Sequence, residues 1–332
     1  MITLEHDRLV FRFPEVHAEA VARIDFQRTL RIPDDDRDYP LPPGLGRFPL
    51  RQLDDFAAAL PAAWARRGGV VMPMHQCEAL WLNFTGAYPH AVRVATGKID
   101  AVTGKTWRRG LDARRQNYLV LPDQPWLDGY AVEAGLVRQF VAMPLGEGYT
   151  AEEQLTGAAE HGGLQIEVFP MKPEVYERIR DVQAQPAFDG GIMASVQLAS
   201  AAPDMGLAPG GRMVQEIYED PYGIDAWETG ASSRCFVSLA NSLAWAAISG
   251  EAPPTEPPTA ADYAAAGLPW FDHYGGDRKA LKGAKKLSQL KSVKALGEAK
   301  GEAPLPENES VEPGPVITLG RGGTAVVREG EL

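Results

Sequence analysis

Residues 70–84 read VVMPMHQCEALWLNF, a stretch apolar enough to form a buried strand. It places His75, Cys77 and Glu78 in these apolar surroundings. Polar groups in such a place either find partners or take part in chemistry. The stretch therefore predicts a strand of the core and supplies the first candidate functional residues.

Short predicted strands follow one another through the middle of the chain. Turn signals such as Thr96–Gly97 and Thr103–Gly104 separate them, and no regular alternation of strands and helices is present. This pattern predicts a β-rich α+β protein, an antiparallel sandwich or an open barrel with a few packed helices. The predicted strands are 70–84, 91–95, 98–102, 118–121, 136–143, 164–169, 192–198 and 211–218.

Composition limits the class of protein. The chain has 332 residues, a net charge of −11 and two cysteines. A charge of this sign opposes binding to nucleic acid and to anionic lipid, and two cysteines do not make a disulfide framework. The longest apolar run, 235–248, is shorter than the roughly 20 residues of a membrane span, so it predicts a buried helix over 235–249. We expect a cytoplasmic protein without a transmembrane segment.

The C-terminal part changes character. Residues 277–300 hold eight basic and two acidic residues, a net charge of +6 that leaves −17 on the rest of the chain. Apolar residues recur every three positions, which predicts a helix with one apolar stripe. We predict a globular body over 1–274, a basic amphipathic helical arm over 275–301, and a flexible linker with a short hairpin or tail over 302–332. The hairpin would pair 316–319 with 324–328.

The basic arm has three candidate partners. It could dock on the acidic body of its own chain or of a second copy, which would give a homo-oligomer through 277–300. It could touch anionic lipid at a membrane surface. Nucleic acid fits least, because aromatic residues are missing from the segment and the acidic body opposes such binding.

His75 and Cys77 share one face if 70–84 is a continuous strand. Both could then reach one metal ion, although the spacing fits no standard zinc pattern. The possible further donors are His90, His161 with Glu160, Cys235 and His273. They could also form a nucleophile and base. In the structural alternative, a buried histidine bonds to backbone and the cysteine acts as a small hydrophobe.

Glu78 lies on the opposite, mostly apolar face of the predicted strand. If it is buried, its carboxylate needs a cation or hydrogen-bond donors. A salt bridge to Arg93, Lys98 or Arg138 is the structural interpretation. A proton-accepting carboxylate in a pocket is the functional one.

Residues 122–143, PDQPWLDGYAVEAGLVRQFVAM, predict a strand, a turn at Asp128–Gly129 and a return strand that carries Arg138. Trp126 stands close to Asp123 and Asp128 in this segment. An exposed tryptophan beside carboxylates could bind a sugar or a cation. The alternative is a tryptophan that closes the end of a sandwich.

An acidic turn, EIYEDPYGIDAW at 216–227, holds Glu219 and Asp225 among its carboxylates. Oxygen ligands this dense can hold calcium, although the spacing is not that of an EF-hand. A solvated turn is the structural alternative. No cofactor is predicted, and zinc at the histidines or calcium at this turn stays open.

Several phrases of the sequence resemble a family of uncharacterised bacterial proteins that has some fungal relatives. The resemblance covers about residues 70–290 and rests on MPMHQCEALWLNF, GGLQIEVFP, EIYEDPYGIDAW, GLPWFDHY and the 122–157 segment. Some members carry an integral-membrane label, against which the hydropathy of this chain argues. The resemblance implies no reaction and no functional residue.

The candidate residues support two functional hypotheses. The first is a binding or scaffold protein that self-associates through its arm, because no catalytic set is assembled in the sequence. The second is a metal- or carboxylate-dependent hydrolase with a site near His75, Cys77, Glu78 and Asp128.

Overall fold

A computed structural model describes residues 1–56, 60–180, 204–273, 275 and 278–319. Strands dominate these residues and form one large, mostly antiparallel sheet with a few short helices. The predicted β-rich α+β class is confirmed. The strand predicted at 192–198 and the 324–328 half of the predicted hairpin lie outside the described residues.

The strands of the described residues vary in length from two to ten residues. In chain order they are β1 (Ile2–Glu5), β2 (Arg8–Arg12), β3 (Val21–Thr29), β4 (Asp38–Tyr39), β5 (Gly44–Arg47), β6 (Arg51–Gln52), β7 (Val70–Met74), β8 (Ala79–Thr85), β9 (His90–Thr96), β10 (Ile99–Asp100), β11 (Leu119–Leu121), β12 (Trp126–Leu127), β13 (Gly129–Glu133), β14 (Leu136–Pro144), β15 (Leu164–Pro170), β16 (Met205–Val214), β17 (Ser233–Asn241), β18 (Trp270–His273) and β19 (Val316–Leu319).

The helices are short, and local capping explains where several begin. The Thr150 hydroxyl accepts the Glu153 backbone N–H, and the Glu153 carboxylate accepts the Thr150 N–H, so a capping box starts α2. No helix in this part of the chain is long and apolar enough to cross a membrane. The helices are α1 (Ala62–Arg67), α2 (Ala151–Thr156), α3 (Pro173–Arg180), α4 (Ser242–Ser249), α5 (Ala260–Ala265), α6 (Lys285–Ser288) and α7 (Val293–Lys300).

Two runs of paired strands make up the large sheet. The first run is β1–β2–β3–β8–β14–β16, and the second is β7–β17–β15–β9–β11. They meet where Met205 of β16 pairs with Leu239 of β17. The short strands β18 and β19 form a separate parallel pair, which Leu41 joins to the body through two backbone hydrogen bonds with Phe271.

Both runs contribute to one hydrophobic core. Phe26 and Leu82 of the first run and Val94 and Ile166 of the second belong to it, and all four are fully buried. Every residue of β9 and β15 is buried, so these two strands are covered on both faces. Their two buried charged residues, Arg93 of β9 and Glu167 of β15, form an ion pair at 3.1 Å.

The predicted continuous strand over 70–84 is wrong. The structure divides it into β7 and β8, joined by a turn at residues 75–78. Cys77 has a φ of 66°, in the left-handed region, and the Glu78 N–H donates to the His75 carbonyl at 3.1 Å. The face assignment of His75 and Cys77 fails with the strand, because alternation across a strand does not continue through a turn.

The predicted helix over 235–249 is also wrong in its first half. β17 occupies Ser233–Asn241 between β15 and β7. Within the predicted helix, only the residues of α4 are helical. The Asn241 side chain accepts the Leu243 N–H and so caps the helix at the point where the strand ends. An apolar run with both faces buried carries no period that separates strand from helix.

The basic segment packs on the body. It forms α6 and α7 where one helix was predicted, and Ala284, Leu287, Leu290 and Val293 are buried. The Ala284 N–H donates to the Ala131 carbonyl of β13 at 2.9 Å. The body of the same chain therefore covers these apolar positions. The predicted boundaries of body, arm and tail stay predictions.

Replacing Leu287 by Ala tests this docking. The side chain is fully buried and belongs to the main core, so its truncation is expected to lower the free energy of unfolding by about 2–3 kcal/mol. Urea unfolding measures the loss, and Lys286→Ala, at an exposed neighbouring position, is the matched control. Equal stability of the two variants would show that the segment is not docked in solution.

Candidate functional site

Two adjoining cavities share Trp126 as a wall. The polar cavity has a volume of about 290 Å³ and lies beside Glu216, Asp272 and His273. The apolar cavity has a volume of about 230 Å³ and includes Asp128. Together they form a site of the size that small ligands occupy. The other residues of the apolar cavity are Leu41, Pro42, Pro43, Gly44, Trp81, Phe271 and Leu319.

Two glutamines hold the segment that carries Trp126 and Asp128. Gln215 accepts the Asp128 N–H at 3.0 Å and donates to the Trp126 carbonyl at 3.3 Å. Gln124 donates to the same carbonyl at 3.1 Å. A Cβ on Gly129 would lie 1.9 Å from the Arg138 carbonyl oxygen, so only glycine fits there. The predicted turn at Asp128–Gly129 is therefore a one-residue break between β12 and β13.

Asp128 is buried without a counter-charge. The residue is 3% exposed, and Oδ2 has no hydrogen-bond partner among the described residues. Burial raises the pKa of Asp128 to about 7, and the Trp126 side chain opposes part of this rise. A carboxyl group of this kind can carry a proton or bind a cation near neutral pH.

His273 faces the other side of Trp126. The two rings meet edge to face with centroids 4.7 Å apart, and neither imidazole nitrogen has a hydrogen-bond partner in the described part of the chain. Burial lowers the pKa of His273. The polar cavity thus holds a neutral imidazole beside the carboxylates of Glu216 and Asp272.

The structure separates Asp123 and Arg138 from Trp126. Asp123 accepts from Arg278 at 2.9 Å and lies in a third cavity of about 440 Å³ with the acidic turn. Arg138 donates to the Gly210 carbonyl at 2.9 Å and lies 3.5 Å from the Asp34 carboxylate. Neither lines the cavities on the two sides of Trp126.

Glu78 belongs to a buried ion pair. Its Oε1 accepts from Arg28 at 2.7 Å, and its Oε2 accepts the His75 N–H at 2.9 Å. Burial raises the pKa of Glu78, and the guanidinium of Arg28 opposes this. The expected partners Arg93, Lys98 and Arg138 are wrong, because the pairing of β3 with β8 brings Arg28 to this place.

His75 and Cys77 make structural contacts with neighbouring segments. His75 Nε2 donates to the Pro254 carbonyl at 2.8 Å, which ties the proline-rich connector to the turn. The Cys77 thiol contacts the Met143 sulfur at 3.7 Å, and burial raises the pKa of the thiol. No hydrogen bond joins either residue, or Glu78, to Asp128 within the described residues.

The remaining metal candidates are dispersed. His161 Nδ1 lies 3.1 Å from the buried carboxylate of Glu152, while Glu219 and Asp225 are exposed on the acidic turn. Within 1–56, 60–180, 204–273, 275 and 278–319, no group of three or more His, Cys, Asp or Glu residues is arranged to hold a metal ion.

Sequence reasoning selected Trp126 and Asp128 but missed the residues that complete their surroundings. Trp81, Gln215 and Phe271 come from three distant parts of the chain. The sequence offers His273 only as a possible further zinc donor to His75 and Cys77, not as a neighbour of Trp126. A local pattern cannot say which cavity a residue of a distant segment will line.

Comparison with protein-family models, curated protein sequences and solved structures found no match to this chain. The resemblance to a family of uncharacterised proteins stays a prediction.

Proposed function

We propose that this chain is a ligand-binding protein whose ligand lies in the two cavities on the sides of Trp126. The observation that carries the proposal is Asp128, a buried carboxyl group that has an unpartnered oxygen and lies in a cavity wall. An unpaired buried carboxylate lowers stability, so its place beside an aromatic cavity supports a role in recognition.

The test measures binding of three ring compounds that differ in charge: indole, tryptamine and indole-3-acetate. Ligand-observed NMR is expected to detect at least one of them with the native protein and none with Trp126→Leu, which removes the shared wall. Glu219→Gln, in the separate acidic cavity, is the control and should bind as the native protein does. Binding that persists in Trp126→Leu, or no binding of any of the three, would contradict the proposal.

A second candidate function is a carboxylate-dependent hydrolase, which the pKa of about 7 at Asp128 favours. A carboxyl group with this pKa can accept a proton from an attacking water at neutral pH. Hydrolysis of p-nitrophenyl acetate above the rate of Asp128→Asn would support this candidate.

Two expectations from the sequence accompany the proposal. A cytoplasmic location follows from the composition, and self-association would involve 277–300. Leu287 and Leu290 are buried on the same chain, so a second copy would contact the exposed lysines of this segment. Light scattering of the native protein at low and high salt tests self-association through these charges.

A further inference from the structure

The charged side chains that line the two cavities are all acidic. Asp128, Glu216 and Asp272 contribute carboxyl groups, and no lysine or arginine lines either cavity in the described residues. Arg278 lies close enough to lower the pKa of His273, but its guanidinium is paired with Asp123 at 2.9 Å. This arrangement disfavours an anionic ligand.

The apolar cavity offers one polar side chain among the residues that the structure describes. Asp128 stands among Trp81, Trp126 and Phe271, with proline and leucine side chains completing the wall. A sugar would bury several hydroxyl groups without side-chain partners here, which is costly. A ligand with a single charged group on an otherwise apolar body matches the wall better.

Aromatic rings attract cations electrostatically, and tryptophan does so most strongly. A quaternary ammonium group is weakly hydrated and is recognised in proteins by aromatic side chains together with a carboxylate. Trp81, Trp126 and Asp128 lie in the wall of one cavity, so aromatic rings and a carboxyl group are both present there.

We propose that the apolar cavity takes an organic cation, with its ammonium group at the Asp128 carboxyl and beside Trp81 and Trp126. This inference rests on the proposed ligand-binding function and names the class of ligand. The volume of about 230 Å³ fits a small alkylated ammonium group. The rest of a larger ligand extends past Trp126 into the polar cavity.

Three probes of one shape and different charge test the inference. Choline is the cation, 3,3-dimethyl-1-butanol replaces its nitrogen by carbon, and 3,3-dimethylbutanoate is the anion. The chain has seven tryptophans, so ¹H–¹⁵N spectra show a small set of indole signals. The indole signal that is missing from the spectrum of Trp126→Phe is that of Trp126. Titrations of the native protein follow this signal up to about 10 mM, ten times the concentration at which a millimolar ligand is half bound.

Choline is expected to shift the Trp126 signal with an affinity at least about tenfold higher than that of the neutral alcohol, and the anion should not bind. Asp128→Asn should remove this tenfold preference and leave the alcohol unchanged. Glu219→Gln removes one negative charge outside the two cavities and should leave the affinity for choline unchanged.

Three outcomes would overturn the inference: equal affinity of the native protein for choline and the alcohol, a tenfold preference for choline that survives in Asp128→Asn, or no shift of the Trp126 signal with choline. The first of them leaves the proposed function intact, because a neutral ligand then occupies the cavity. Absence of binding for all three indole compounds as well would remove the proposed function itself.

Discussion

Replacing Arg93 by Met is expected to lower the free energy of unfolding by about 3–5 kcal/mol, the usual cost of removing one partner from a buried ion pair. Arg93 is 2% exposed and donates to Glu167 at 3.1 Å and to Asp100 at 3.2 Å. Its guanidinium also lies 3.9 Å from the centre of the Trp107 ring. The variant leaves two buried carboxylates without their cation, and urea unfolding at pH 7 measures the effect.

The loss should depend on pH. Burial raises the pKa of Asp100, and Arg93 opposes this in the native protein. Without Arg93 the folded chain holds the Asp100 proton more tightly than the unfolded chain does. Stability of the variant then falls as pH rises above the ordinary pKa of aspartate. We expect the difference between native protein and variant to be smaller at pH 5 than at pH 8.

Two further variants make this result specific. Arg109→Met removes an exposed arginine from the neighbouring loop and should change stability little. The combined variant Arg93→Met, Asp100→Asn, Glu167→Gln removes all three charges and should recover most of the loss, because it leaves no buried ion unpaired. A loss in Arg93→Met that is equal to the control, or no recovery in the combined variant, would contradict the argument.

Arg93 also shows what a sequence can predict about this fold. Frequent turn signals predicted the β-rich class, and most predicted strands lie close to observed ones. The pairing of strands is a property of distant residues: Arg93 stands opposite Glu167 because β9 pairs with β15, and Arg28 stands beside β8 because β3 pairs there. No pattern within one strand contains that information.

The errors in secondary structure have a common physical origin. The second half of β17, residues 237–241, is buried on both faces, and the run at 70–84 contains a turn whose polar groups bond to one another. In both cases the pattern of apolar residues does not distinguish a strand from a helix or locate the turn. The strand break at Cys77 depends on a left-handed backbone conformation that cysteine rarely adopts. The residue types of this run therefore do not predict the break.

The site was predictable only in its central part. Trp126 and Asp128 stand out because a large aromatic residue and a carboxylate lie close together in one short segment. Trp81, Phe271 and His273 join them through the pairing of β12 with β8 and the bridge between Leu41 and Phe271. A cavity between distant segments is visible only after they are packed.

Replacing Asp128 by Asn is expected to stabilise the folded chain at pH 8 by about 4 kcal/mol. The pKa of Asp128 is raised from 3.8 to about 7, and each unit of difference from the unfolded chain is worth about 1.4 kcal/mol. Because the folded-state pKa is the higher one, native stability is greatest at low pH and falls as pH rises from about 4 to about 7. Asparagine does not ionise, so the variant lacks this fall.

Urea unfolding of both proteins across this pH range measures the effect. The stability difference should be close to zero at pH 4, grow up to pH 7 and stay constant above it. Asp225→Asn, at an exposed position of the acidic turn, is the control and should follow the native protein. A difference that does not change with pH would show that Asp128 has a partner in solution and is a structural residue.

The two expectations for Asp128→Asn point in opposite directions, and that contrast distinguishes a functional carboxyl group from a structural one. Neutralising a paired carboxylate such as Glu78 should lower the free energy of unfolding, because Arg28 then lacks its partner. Replacing Asp128 by Asn should instead raise the free energy of unfolding, and the same substitution should remove the preference of the protein for choline. A residue that lowers the stability of the fold and raises the affinity for a cation is placed for binding, since function commonly accepts such a cost.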